Sequence, residues 1–265
     1  MRVLRAAATA LVLPMLAAAG PAVTPLELYA AGKYQSAISA GVGQNDGAGF
    51  AVAARATLAE ALMRDAPCLE CLKRAEGYAR RAVALDSRLP EGHIYLAAIL
   101  GYEARIVGVL TAKMHGFAEE AKAQIDAALA ADPHNARALA ALGGWNIAIV
   151  SNGGPTLARL LYGASVREGE KDFADAFRAA PGDVALRYQY ALALSGYDAD
   201  GYRATIADSL SRAVAGKPAT AYDSVMQTRA VDLLRLLKAG DLEKYLRLVR
   251  RYQGYPVADE AASAR

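Results

Sequence analysis

The sequence predicts an all-α protein, an α-α superhelix of four or five helix pairs that occupies residues 23–252. Three observations favour this fold. Hydrophobic residues make up 54% of the chain, and many are alanine, which has the highest helix propensity and lets helices pack closely. Small and apolar residues recur at i, i+3, i+4 and i+7. The helical segments break at polar or proline-containing turns about every 47 residues, a period typical of stacked helix pairs.

The first 22 residues have the three parts of a secretory signal peptide. Arg2 and Arg5 supply positive charge, residues 6–19 form a short apolar core, and small residues follow. Cleavage after Ala19 and cleavage after Ala22 both fit, and an uncleaved N-terminal anchor is the alternative. We therefore expect export, into the periplasm of a Gram-negative cell, of a mature chain that has no transmembrane segment.

Three segments each contain a helix, a break and a second helix. They run from Ala75 to Leu100, from Ala121 to Trp145 and from Glu170 to Leu194. In each segment an alanine stands where the two helices should touch, and a turn stands where the first helix should end. The contact alanines are Ala82, Ala128 and Ala176, and the breaks fall at Asp86, Asp132-Pro133, Ala180-Pro181 and, more weakly, Lys217-Pro218.

This pattern resembles the tetratricopeptide repeat, in which small residues lie at the helix contact and a proline follows the second helix of each repeat. In these terms, each segment joins the second helix of one repeat to the first helix of the next. Pro133 and Pro181 occupy the proline position, whereas Ser87 replaces it in the first repeat. Upstream, the stretch from Leu28 to Ala37 is similar to the glycine-containing corner inside such a repeat. The resemblance implies a concave groove that binds a protein or peptide.

Two insertions lengthen the repeats beyond the standard period of about 34 residues. They run from Arg105 to Phe117 and from Gly153 to Ser165, and each predicts a short apolar helix with a glycine turn. Glycines inside a helix usually permit close packing, so Gly143 and Gly144 are expected to pack against the insertion at 157–161.

The long repeats resemble two known groups. One is the T-component associated with tripartite ATP-independent periplasmic (TRAP) transporters, and the other is the regulator of microtubule dynamics family. The run from Ala141 to Phe177 carries most of the resemblance. The predicted export favours the transporter-associated group, which implies an accessory role in a solute transport system.

After residue 197 the pattern loosens but still predicts helices. These run from Tyr202 to Val214, from Ala219 to Lys238 and from Leu242 to Tyr252, the last capped by Asp241. The last helix carries Arg247, Arg250 and Arg251 on a polar outer face, as expected of a solenoid cap. The tail at 253–265 is predicted to be disordered.

The sequence indicates no catalytic site. Cys68 and Cys71 are its only cysteines, and a C-x-x-C pair in an exported protein is a structural disulfide, a passive thiol pair or a redox site. His93, His115 and His134 lie far apart and show no zinc-binding spacing. The net charge of +3 is dispersed, which argues against a nucleic-acid interface. We expect no cofactor and no enzyme activity.

The best candidates for partner binding are aromatic and polar residues. All but Tyr162, which belongs to the second insertion, lie on the first helices of the repeats, and these helices line the concave face of a solenoid. Trp, Tyr and Arg dominate binding hot spots, although the same residues can instead fill the core. The set consists of Trp145, Asn146, Tyr162, Arg187, Tyr188 and Tyr190.

The sequence therefore predicts an exported adaptor that holds a protein or peptide in its groove. A second hypothesis is a binder of small hydrophobic molecules, in which the two insertions close an apolar cavity. The insertions are also a candidate surface for self-association into a homo-oligomer.

Overall fold

The predicted all-α fold is confirmed. A computed structural model describes residues 23–64 and 66–256, and these residues form thirteen α-helices and no strand. The predicted signal peptide and residues 257–265 of the predicted tail lie outside the described residues. The helices are α1 (Pro25–Ala30), α2 (Tyr34–Gln44), α3 (Gly47–Met63), α4 (Leu69–Leu85), α5 (Pro90–Val107), α6 (Val109–Met114), α7 (Phe117–Ala131), α8 (Ala136–Tyr162), α9 (Val166–Ala179), α10 (Val184–Asp198), α11 (Arg203–Ala215), α12 (Ala221–Ala239) and α13 (Leu242–Tyr252).

The helix breaks fall where the sequence predicts them. The residues after α4, α7 and α9 have nearly the same extended backbone, with φ between −141° and −146°, and each donates its N–H to the carbonyl four residues back. The accepting residue is in every case the alanine predicted at the helix contact. These alanines, Ala82, Ala128 and Ala176, are completely buried, so the last turn of each of these helices contains the predicted contact residue.

The helices form two layers. Successive helices pack against each other, as in α4 with α5, α8 with α9 and α10 with α11. In addition, α3 packs on α5, α5 on α8, α8 on α10 and α10 on α12. The inner layer of the superhelix therefore consists of α3, α5, α8, α10 and α12. No described helix is long and apolar enough to cross a membrane.

The prediction for the glycine pair in α8 is wrong in its packing partner. A Cβ atom on Gly143 would lie 2.7 Å from the Phe173 ring and 2.8 Å from the Gly169 carbonyl oxygen, whereas one on Gly144 would meet nothing within 4 Å. The absence of a side chain at Gly143 therefore permits the close approach of α9 and not of the insertion. The insertion turns away because α8 kinks at Gly154, whose φ is 74°.

The C-terminal helices close the superhelix onto its beginning. Helix α12 packs on α1 as well as on α10 and α11. One guanidinium nitrogen of Arg229 donates to the Leu62 carbonyl at 2.7 Å, across 167 residues of sequence. Arg105 likewise donates to the Gln253 carbonyl at 3.1 Å, and the Gln253 side chain donates to Leu192 O at 3.0 Å. Gln253, the first residue of the tail predicted to be disordered, is therefore hydrogen-bonded to the helical domain. The disorder of the tail stays a prediction.

Candidate functional site

Trp145 and Tyr162 lie together beside the first turn of α7. Their rings meet edge to face with centroids 6.0 Å apart. The indole nitrogen of Trp145 donates to Ala118 O at 2.9 Å, and the Tyr162 hydroxyl donates to a carboxylate oxygen of Glu119 at 2.9 Å. These bonds attach the kinked end of α8 to α7. Partner contact by Trp145 and Tyr162 stays a prediction.

Asn146, Tyr190 and Arg187 serve the contacts among α8, α9 and α10. Asn146 is buried and donates to Asp172 at 3.0 Å. Burial raises the pKa of Asp172 to about 6, an effect that this hydrogen bond only partly offsets. Tyr190 is buried against Phe173, with ring centroids 4.8 Å apart. Arg187 stacks 3.6 Å above a neighbouring phenylalanine ring, that of Phe177, and is partly exposed.

Tyr188 lies in the interior of the superhelix rather than in an open groove. Its side chain is almost fully buried, and burial raises its pKa well above the usual value, against a smaller opposing effect of Arg229. Helices α12 and α13 cover this part of the concave side. Asn146, Tyr188 and Tyr190 are all buried, and the partner-binding role expected of them stays a prediction.

The structure forms an open cleft that the sequence did not reveal. It lies where the end of α3 meets α12 and α13, and its volume is about 330 Å³. We call it the basic cleft, because three arginines and one carboxylate line it among the described residues. Its lining consists of Arg64, Val225, Thr228, Arg229, Asp232, Arg251 and Tyr252.

One wall of the basic cleft is held in place by side-chain contacts. Arg229 stacks over the Tyr252 ring, 4.6 Å from its centroid, while it donates to Leu62 O. The Tyr252 hydroxyl lies 3.4 Å from a carboxylate oxygen of Asp232. Burial raises the pKa of Tyr252, and the negative charge of Asp232 raises it further. Tyr252 therefore stays a neutral hydrogen-bond donor near neutral pH.

An apolar depression adjoins the basic cleft and shares Arg64, Arg251 and Tyr252 with it. Its walls include Leu62, Leu72, Tyr102, Ile106 and Cys68. The structure joins Cys68 to Cys71 in a disulfide with the Cα atoms 5.2 Å apart. Cys68 is also the N-cap of α4, since its sulfur accepts the backbone N–H of Cys71. Together the two regions present positive charge beside apolar surface.

Sequence reasoning missed the basic cleft because its walls come from distant parts of the chain. The prediction placed Arg251 on the outer face of a capping helix, whereas α13 folds back so that Arg251 lines the cleft. Nothing in the sequence marked Arg229 as a binding-site residue, because one arginine inside an amphipathic helix is unremarkable. The long-range contact with Leu62 gives it a position in the cleft.

The described residues show no metal-binding cluster. Within 23–64 and 66–256, no three His, Cys, Asp or Glu residues are placed to hold a metal ion. The two ring nitrogens of His93 lie 2.5 Å from the Gln124 side-chain oxygen and 2.9 Å from Ser87 O. His93 therefore links the α4–α5 turn to α7, which is a structural role.

The two insertions face solvent. Leu110 in α6 and Leu160 near the end of α8 are 74% and 76% exposed. These side chains do not line a closed cavity, which the hypothesis of a small hydrophobic ligand requires. The insertions instead form an outer apolar surface.

Comparison with known proteins identifies the family. Residues 50–238, well over half of the chain, match the family described as Regulator of microtubule dynamics protein 1-3. A search of curated proteins finds no match. The matched range begins in α3 and ends in α12, so it includes nearly all of the inner layer of the superhelix. The chain belongs to the regulator of microtubule dynamics protein 1-3 family.

Proposed function

We propose that this protein is an exported scaffold that binds an acidic segment of a partner protein in the basic cleft. The observation that carries the proposal is the composition of the cleft, where Arg64 and Arg229 lie among the lining residues and Asp232 is the one carboxylate among those that the structure describes. The all-helical fold and the family are those of a helical protein-binding scaffold.

The chemistry of the basic cleft suits a peptide that carries carboxylates. A guanidinium has five N–H donors, and the hydrogen bond of Arg229 to Leu62 O uses only one of them. Arg64 is exposed at the mouth of the cleft. Arginine and tyrosine together supply contact area and charged hydrogen bonds, which is why they dominate binding hot spots. The neighbouring Leu62 and Ile106 offer apolar contact to flanking side chains.

Export and a transport context belong to the same proposal. The N-terminal sequence has the signal-peptide pattern, and a disulfide between Cys68 and Cys71 suits an oxidising compartment. We propose a periplasmic location, with a component of a solute transport system as the partner, because the long repeats resemble the transporter-associated group.

Site-specific photocrosslinking in intact cells tests the proposal. A photoreactive amino acid replaces Thr228, which is exposed and lines the basic cleft, and a control places it at Ala123, exposed on the outer helix α7. We expect one defined adduct from position 228 in the osmotic-shock fraction and none from position 123. Mass spectrometry of the adduct should locate the crosslink in an acidic segment.

A charge reversal supplies the second part of the test. Arg64→Glu should weaken binding of the identified partner by about tenfold or more, since it replaces attraction by repulsion in the cleft. Arg88→Glu, at an exposed turn between α4 and α5, should leave binding unchanged. Equal crosslinking from both positions, or unchanged affinity of the Arg64 variant, would contradict the proposal.

A further inference from the structure

The two insertions repeat one backbone design. Each begins at a glycine with φ near +80° and ψ of 160°, Gly108 and Gly154, a conformation that is essentially restricted to glycine. Each ends at a glycine in the left-handed helical region, Gly116 and Gly163. Between these glycines lie residues 109–115 and 155–162, which we call the insert helices. The same glycine–helix–glycine unit therefore occurs in two successive repeats.

The insert helices concentrate the exposed apolar side chains of the protein. Eleven large hydrophobic residues are exposed in the described chain, and six of them lie on these two short segments. Their exposed fractions range from 54% to 76%. The six are Val109, Leu110, Met114, Leu157, Leu160 and Leu161. An apolar surface this concentrated marks a site of interaction.

The insert helices lie on one side of the superhelix, around the N-terminus of α7. The first insert helix leads into α7 through Gly116. The second is attached to the first turn of α7, because Tyr162 donates to Glu119 and packs on Trp145. Trp145 in turn donates to Ala118 O. The two apolar surfaces can therefore engage the same partner.

The charge of the insert helices indicates which partner they fit. Each carries one exposed cation, Lys113 or Arg159, and neither contains a carboxylate. Among the residues that the structure describes, neither cation makes an ion pair. Glu119, in the first turn of α7, accepts the hydroxyl of Tyr162. A surface of exposed Leu, Val and Met with unpaired cations matches an apolar phase bordered by negative charge.

We propose that the insert helices bind in the plane of an anionic lipid bilayer. The apolar side chains would enter the boundary between headgroups and acyl chains, while Lys113 and Arg159 extend to the lipid phosphates. The helices are too short to span a bilayer. A second copy of the chain fits less well, because a symmetric contact would bring these cations together without a carboxylate on either insert. Trp145 and Tyr162 lie at the base of the surface, and such residues favour the bilayer interface.

Vesicle co-sedimentation with the purified full-length protein tests this inference. We expect binding to phosphatidylcholine vesicles that contain about 30% phosphatidylglycerol, and much weaker binding to pure phosphatidylcholine. Leu110→Asp combined with Leu160→Asp should weaken binding to the anionic vesicles by about tenfold or more. Val23→Asp combined with Leu26→Asp is the matched control, because those apolar residues are also exposed but lie at the start of the helical domain and not in the insert helices. The control variant should bind as the wild type does.

A charge variant separates the electrostatic contribution to vesicle binding from the apolar contribution. Lys113→Glu combined with Arg159→Glu retains the apolar residues and should reduce binding to the anionic vesicles to the level seen with phosphatidylcholine alone. All substituted side chains are exposed, so circular dichroism should show unchanged folding. Arg64→Glu should leave vesicle binding intact, which distinguishes this inference from the proposed function of the basic cleft.

Three outcomes would overturn the inference. The first is no sedimentation with either vesicle, and the second is sedimentation that the Leu110 and Leu160 substitutions do not change. The third is a lipid-free dimer, detected by analytical ultracentrifugation, that these substitutions dissociate. That last result would assign the insert helices to self-association.

Discussion

At the scale of single residues, Asp172 links pH to stability. It is buried in the α8–α9 contact, and burial raises its pKa from 3.8 to about 6. Between these values the folded protein holds a proton that the unfolded chain has released. The free energy of unfolding should therefore fall as the pH rises through this range. Asp172→Asn should remove this dependence, because asparagine has no charge and its oxygen still accepts the Asn146 hydrogen bond.

Urea unfolding at about pH 4 and about pH 7.5 checks this prediction. At the higher pH the Asp172→Asn variant should be more stable than wild type by about 2–3 kcal/mol, and at the lower pH the two should be nearly equal. Asp126→Asn is the control, since that exposed carboxylate pairs with Lys122 at the surface, and it should change stability by less than about 1 kcal/mol. A constant difference between wild type and the Asp172 variant at both pH values would refute the prediction.

Sequence reasoning identified the residue types of the candidate binding set but not their surroundings. Trp145 and Tyr162 are partly exposed and in contact, while Asn146, Tyr188 and Tyr190 are buried. Helical periodicity assigned Tyr188 to an inner face, and that face became interior only when α12 and α13 covered it. A periodic pattern reports which residues share a face and does not report what packs on that face.

At the scale of helices, the α8–α9 contact depends on one glycine of an adjacent pair. Gly143→Ala should destabilise the protein by about 1–3 kcal/mol, because the new methyl group would overlap the Phe173 ring and the Gly169 carbonyl. Gly144→Ala should instead be neutral or stabilise by up to about 1 kcal/mol, since its Cβ meets nothing within 4 Å and alanine favours the helix. Equilibrium unfolding of both variants checks the pair. Equal effects would show that helix propensity, rather than contact with α9, governs both positions.

The helices themselves were largely predictable because local rules set their limits. Asp183 and Thr220 accept backbone N–H groups at the starts of α10 and α12, as N-cap residues do. Asp241 begins α13 as predicted. The sequence also predicts the insertions as short helices with glycine turns, but it does not predict their orientation. The kink depends on the positive φ of Gly154, and several backbone conformations were open to a Gly-Gly-Pro sequence.

At the scale of the whole molecule, the sequence did not predict that the C-terminal helices close the superhelix onto its beginning. The contacts that bring α12 and α13 onto α3 and α5 join residues 148 and 167 positions apart. They use backbone carbonyls as acceptors, and a carbonyl leaves no trace in the sequence because every residue has one. The basic cleft forms where these helices meet, so it could be identified only from the folded structure and not from the sequence.

Replacing Arg229 should therefore lower the stability of the whole superhelix by more than its partly exposed position suggests. Arg229→Met keeps an apolar stem but removes the hydrogen bond to Leu62 and the charged stack on Tyr252. The free energy of unfolding should fall by about 1–3 kcal/mol, because the partly buried Leu62 carbonyl loses its partner. Arg235→Met on the same helix loses only a 3.8 Å surface ion pair, and its effect should stay within about 0.5 kcal/mol. Amide hydrogen exchange supplies the decisive readout, since loss of closure should speed exchange in the last turn of α3 as well as in α12. Faster exchange in α12 alone would show that Arg229 stabilises its own helix and that other contacts hold the superhelix closed.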